Sequence, residues 1–236
     1  MAVAFQNTSG MQNGVDVTSL TYSMTVSAGS DLALVVGVSI ELTARDVTGV
    51  TFNGDAMTQV GSDTPSGDSF AEAQLFQLVN PDVVTGNVVV TLNTTGRVIS
   101  GAYSMTGVDQ TTPTGTAATD VSVSDTTAST TVGSVGTDDL VVDILSADAE
   151  VTVTAGADQG DNDMQNSIAP GSVTGAMSTQ AGSAGGVMSW TWTGARPMAQ
   201  IAVAIKPSAG AAASVTGMLI GGGSIFPGIF SRIRVQ

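Results

Sequence analysis

Short apolar stretches, some alternating with polar residues and some continuous, recur at strand-length spacing along this chain, each bounded by Gly, Pro, Asn or Asp. They predict strands over 3–6, 19–26, 32–40, 50–53, 56–60, 73–79, 88–92 and 97–105. In the second half they predict strands over 130–132, 140–146, 151–153, 174–179, 187–193 and 199–205. Alternation is clearest over 18–26 and 199–205, which calls for one apolar face. The runs 32–38 and 140–145 are almost continuously apolar, as in central strands buried on both faces. Asn53-Gly54 supplies a tight two-residue hairpin turn, since both residues accept positive φ. No window of helical length carries a 3.6-residue period.

The two halves resemble each other. Gly29-Ser30-Asp31-Leu32 leads into an apolar strand, as Gly136-Thr137-Asp138-Asp139-Leu140 does. Segments 88–91, Thr95-Gly96-Arg97 and the strand after them are echoed by 187–191, Thr193-Gly194-Ala195-Arg196 and 199–205. This spacing fits two similar strand sets within one sandwich rather than two domains, because the linkers are short.

Composition agrees with an all-β chain. Val, Thr, Ser, Gly and Ala dominate, and β-branched side chains suit a pleated surface better than a helix. Only 11% of residues are charged, so Ser, Thr, Asn and Gln must supply much of the surface. The net charge of −14 argues against a nucleic-acid or anionic-membrane surface, either of which needs a basic stripe. The N-terminal MAVAFQNTSG has no cationic or sustained apolar segment, so no secretory leader is expected.

Histidine and cysteine are both absent. That removes the Ser-His-Asp triad, the cysteine nucleophile, the histidine base and the His/Cys zinc site together. Lys206 precedes Pro207 at a strand end, a poor place for a Schiff base. A two-carboxylate glycosidase would have to draw on Glu41, Glu72 and Glu150, with 2 Trp and 2 Tyr to line its cleft. The expectation is a protein that is not an enzyme and has no cofactor. The densest acidic cluster, Asp158, Asp161 and Asp163 around Gly160, has oxygens spaced to wrap a calcium ion; its order is not that of an EF-hand, and a solvated loop is the plainer reading. Trp190 and Trp192, two apart, share a strand face. They form either a glycan or partner platform or a core pair. Arg97 and Arg196 follow equivalent turns and are expected to pair with carboxylates or cap loops.

Residues 209–236 differ from everything before them. All 20 acids lie in the body, against Arg45, Arg97, Arg196 and Lys206, while the tail has Arg232, Arg234 and no acid. Its apolar set is Met218, Leu219, Ile220, Ile225, Phe226, Ile229, Phe230 and Ile233. The run is broken at Gly221–Gly223 and Pro227 and is too short to cross about 30 Å of hydrocarbon as a helix. A C-terminal sorting signal is the rival reading. Free linkers are polar and charged, so this segment is expected to dock as an arm on a partner, with Arg232 and Arg234 meeting carboxylates there.

The stretch 47–62, VTGVTFNGDAMTQVGS, together with LFQLVNP at 75–81, GVDQTTP at 107–113 and the closing strand through Lys206-Pro207, resembles a β-sandwich module. Modules of this kind occur in virion structural proteins of tailed bacteriophage and in bacterial secreted or surface proteins. The resemblance spans residues 19–207, and no catalytic residues go with it. With the residue-level reading, it implies an antiparallel, jelly-roll-like β-sandwich over 1–208 with an extended C-terminal arm over 209–236. The implied role is a capsid decoration or cement protein, or a head fibre, on the virion surface. Its partners would be the major capsid protein or other virion subunits, in a homo-oligomer. The alternatives are a tail component of the same virion, or an extracellular adhesive or glycan-binding sandwich at a cell surface.

Overall fold

A computed structural model describes residues 1–41, 45–68, 70–166 and 173–209, apart from the side chains of 63, 161, 162 and 164–166. The arm residues named above therefore lie outside the described residues. Among the described residues the chain is all-β and antiparallel, with one short 3-10 turn at Gly182–Ala184. The first half contains β1 (Ala4–Thr8), β2 (Gln12–Thr25), β3 (Ala33–Glu41), β4 (Val47–Phe52), β5 (Asp55–Ala56), β6 (Thr58–Pro65), β7 (Ala71–Val79) and β8 (Thr85–Thr106). The second contains β9 (Ala118–Thr131), β10 (Leu140–Asp148), β11 (Thr154–Ala155), β12 (Gln159–Asn166), β13 (Val173–Ala181) and β14 (Val187–Ile205).

The halves repeat one topology. The first sheet runs β5-β4-β8-β3-β7-β6 with β2 also on β8; the second runs β11-β14-β10-β13-β12 with β9 also on β14. Equivalent strands match in length: β2 and β9 have 14 residues each, β3 and β10 nine, β6 and β12 eight, β7 and β13 nine. The repeat legible in the sequence is thus a repeat of architecture.

Long strands let each half fold over itself. The early part of β8 pairs with β4 and the later part of β2, and its later part pairs with β3. Between these two layers lies a core that includes Leu20, Met24, Leu34, Val36, Phe52 and Val90. Strand β14 does the same against β11, β9 and β10. A third core joins the halves, where Val35, Leu75, Ile99 and Tyr103 meet Val142, Ile144, Met177 and Ile201. This explains the continuous apolar runs. Strand β3 is buried at every position because even-numbered residues face its own half and odd-numbered ones face the other half. Strand β14 is also buried on both faces from Met198 to Ile205, where the sequence suggested a single apolar face.

The hairpin at Asn53-Gly54 has φ of 51° and 97°, and Phe52 pairs with Asp55 across it. Other boundaries differ from the sequence reading. Segments 88–92 and 97–105 belong to one strand, as do 187–193 and 199–205. The Thr-Gly turns read as breaks are irregularities inside these strands, marked by register shifts and by φ of 84° at Gly194. Residues 151–153 are not a strand, and β9 and β12 were not expected over most of their length. No helix among the described residues is long and apolar enough to cross a membrane.

Candidate functional site

Asp143, at the middle of β10, is fully buried in the second half and accepts four hydrogen bonds. Its counterpart by strand register is Val36, an ordinary core residue opposite Phe76; Asp143 lies opposite Ser178 instead. The backbone N–H and Oγ of Ser178 donate to Oδ1 at 3.0 and 2.7 Å. Trp190 Nε1 and Gln200 Nε2 donate to Oδ2 at 2.6 and 2.7 Å. The network continues outward: Thr130 Oγ1 donates to Gln200 Oε1 at 2.7 Å, and Gln159 Nε2 donates to Ser178 Oγ at 2.7 Å. Five strands, β9, β10, β12, β13 and β14, are tied through one carboxylate.

Burial pushes the Asp143 carboxyl up to about 6, against the pull of its Ser178, Trp190 and Gln200 donors. The first half has a simpler version of the same tie, with Tyr22 Oη and Ser100 Oγ 2.8 Å apart. Tyr22 lies opposite Val88 and Thr130 opposite Met188, so the two hydrogen bonds occupy equivalent places. Asp143 lines neither of the two surface clefts described below. Fully buried and held by four donors, it acts as a structural tie between strands.

Trp190 and Trp192 are core residues, 2% and 8% exposed, packed with Leu145, Val151, Val153 and Met198. The exposed-platform reading therefore falls. Asp158 sits at a turn with φ of 64°, and Asp163 on β12 accepts a hydrogen bond from Thr8 Oγ1 at 2.6 Å. The side chain of Asp161 lies outside the described residues. The acidic loop of the sequence reading is largely strand β12, paired with β13. Among the described residues no three acidic side chains gather into a group that could hold a metal ion.

Arg97 pairs with the buried Glu41 at 2.7 Å and Arg45 approaches it at 3.4 Å, so this glutamate is neutralised by two guanidinium groups. Arg196 is exposed and stands opposite Asp125 in the sheet, without an ion pair to a described residue. Lys206 donates to Asp139 Oδ2 at 2.7 Å and to the Ser134 carbonyl at 2.8 Å. One cleft of about 220 Å³ lies between Thr58, Gln77 and the 110–113 connector, and one of about 370 Å³ lies beside Lys206 and 115–118. Neither cleft contains a carboxylate pair among its lining residues.

The end of the described residues is held in place at Pro207 and Ser208. Val108 bridges to Pro207, and the Ser208 N–H donates to the Gly107 carbonyl at 2.7 Å. The N-terminal ammonium donates to the Ser208 carbonyl at 3.4 Å. Both ends of the body therefore meet at one end of the sandwich. An all-β sandwich whose polar interior is committed to internal ties is consistent with a structural or adhesive protein. Comparison with protein-family models, with curated proteins and with solved structures finds no match.

Proposed function

We propose that this chain is a non-enzymatic structural protein that displays a rigid acidic sandwich on a larger assembly and is held there by residues 209–236. In its specific form the proposal is a capsid decoration or cement protein, or a head fibre, of a tailed-phage particle, with a jelly-roll-like body facing outward. The observation that carries the attachment reading is the fixed root at Ser208, clamped to Gly107 beside the N-terminus. A segment leaving from one end of a stiff body presents the whole body away from the attachment point.

The tail's composition supplies the driving force. Burying six to eight side chains of its apolar set yields on the order of 10 kcal/mol gross at about 25 cal/mol per Å², before association and ordering costs. Several such contacts per particle multiply the retention. The phage assignment itself rests on the resemblance of 47–62 and 75–81 to virion sandwich modules. Truncation after Ser208 is the test, read by co-sedimentation with the particle and by thermal melting. The expected product is a soluble body with a near-unchanged melting midpoint that no longer binds. A truncated body that unfolds or precipitates puts the arm in the sandwich core and defeats the reading.

A further inference from the structure

Strand β9 has a feature its counterpart lacks. Both are long edge strands, and β9 pairs only with β14 among the described strands, so its outer edge is not covered by another described strand. The N–H groups of Ser124, Thr126, Thr127 and Ser129 nevertheless donate to the side chains of Ser122, Asp125 and Asp120. Val121 lies opposite Ala199 and Thr119 opposite Ile201, so this side of β9 continues the surface that forms the core between the halves. There, however, Val121 and Val123 are 46% and 54% exposed. Across from them is the turn that closes β6 on β7. A Cβ placed on Gly67 would stand 2.8 Å from Val123 Cγ1, and Phe70 of the same turn is 47% exposed. Three large apolar side chains thus border an open sheet edge. In the first half, residue 11 occupies the position of Thr119, and there Met11 is buried in the shared core.

We infer that this flank of β9 is the receptor for the apolar arm, residues 209–236, of a second copy of the chain, added along the β9 edge as a strand. The inference rests on the attachment reading and names its partner surface. Three observations favour this occupant. The arm offers Ile225, Phe226, Ile229 and Phe230 and contains no acid, whereas Asp68 in the β6–β7 turn and Asp125 on β9 bring carboxylates to the flank. About ten residues separate Ser208 from the first bulky apolar group, Met218, a reach of roughly 33 Å when extended, enough to leave the body that carries it. The flank is also continuous with an apolar interface that already holds two β-sheets together. Donation of an arm from each copy to the next is a heterologous contact that closes into a ring or builds a chain.

Complementation between two full-length variants tests this, with mass measured by sedimentation. Val121→Asp/Val123→Asp leaves the arm intact and spoils the flank; Ile229→Asp/Phe230→Asp does the reverse. Exposed positions on β9 tolerate the change, and melting checks that both variants are folded. The wild type is expected to self-associate and each variant to do so at least tenfold more weakly. An equal mixture of the two should form a 1:1 dimer, because one intact arm then meets one intact flank. A flank variant that associates like the wild type, while the arm variant does not, overturns the receptor assignment and leaves the attachment reading standing. A mixture that stays monomeric, or a wild type that never associates, overturns the inference outright.

Discussion

Ser39 Oγ donates a hydrogen bond to Ser146 Oγ at 2.7 Å, in the buried seam between the two halves. The two residues hold the same position in equivalent strands: Ser39 is opposite Ala73 and Ile99, and Ser146 is opposite Gly175 and Ala199. The repeat therefore meets itself at this pair, as expected near a pseudo-twofold axis. Small hydroxyls suit the spot, since each hydroxyl finds its partner in the other copy of the repeat.

Ser39→Ala leaves the Ser146 hydroxyl without its donor in an apolar seam, which costs about 1–2 kcal/mol, and should show that loss in urea unfolding. Ser146→Ala should cost less, because Ser39 Oγ still reaches the Thr174 carbonyl at 3.4 Å. The double variant should cost less than the sum of the two, because nothing is left unpaired. Additive losses would mean that the pair does not couple the halves.

Gly175 occupies a close approach between the halves. A Cβ there would stand 2.8 Å from Ile99 Cγ2, 3.0 Å from Ile99 Cβ and 3.1 Å from Ser39 Cβ. These are branched or near-backbone atoms with little room to give. At Gly37 the corresponding clash is with the thioether of Met177, at 2.7 Å, and a methionine side chain can turn aside. Gly175→Ala should therefore destabilise by about 1–3 kcal/mol and Gly37→Ala by less, measured by urea midpoints.

Asp143 should give the fold an unusual pH dependence. Its carboxyl is raised by burial from 3.8 to about 6, so the folded state binds this proton more tightly than the unfolded chain does. Stability should then rise as pH falls from 7 toward 4, and the cost of the buried charge is complete above about pH 6. The full effect is on the order of 3 kcal/mol. The chain has no histidine, so this window is not crowded by imidazoles. Asp148, also raised chiefly by burial, acts in the same direction. Asp143→Asn should remove most of the slope, at the cost of turning an amide N–H₂ toward one set of donors. Urea midpoints between pH 4 and 7 check this; a flat wild-type profile would count against a raised Asp143.

Particular residues show how much was legible. The positive φ at Asn53 and Gly54 and the double burial of 32–38 follow from local chemistry and from the absence of polar residues in that run. Strand β9 was read only at its end, over 130–132, because Ser, Thr and Asp fill the rest, and its hydrogen bonds to β14 do not depend on apolar side chains. The acidic segment 158–163 read as a loop, solvated or wrapped around a cation, because carboxylate spacing is visible in sequence, whereas pairing with β13 is not. For Trp190 and Trp192, period two placed them on one face without saying which.

Sequence alone determined the all-β class, the central strands, the tight hairpin and the internal repeat, because β-branching, turn chemistry and alternation act over a few residues. The tertiary structure decided that the repeats face each other across a shared core, that Ser39 meets Ser146, and that Asp143 is enclosed by donors from β13 and β14. It also left Val121 and Val123 uncovered while burying Met11. Each of these depends on contacts between residues far apart in the chain, where the closeness of two sheets, and not local preference, fixes which side chains are enclosed.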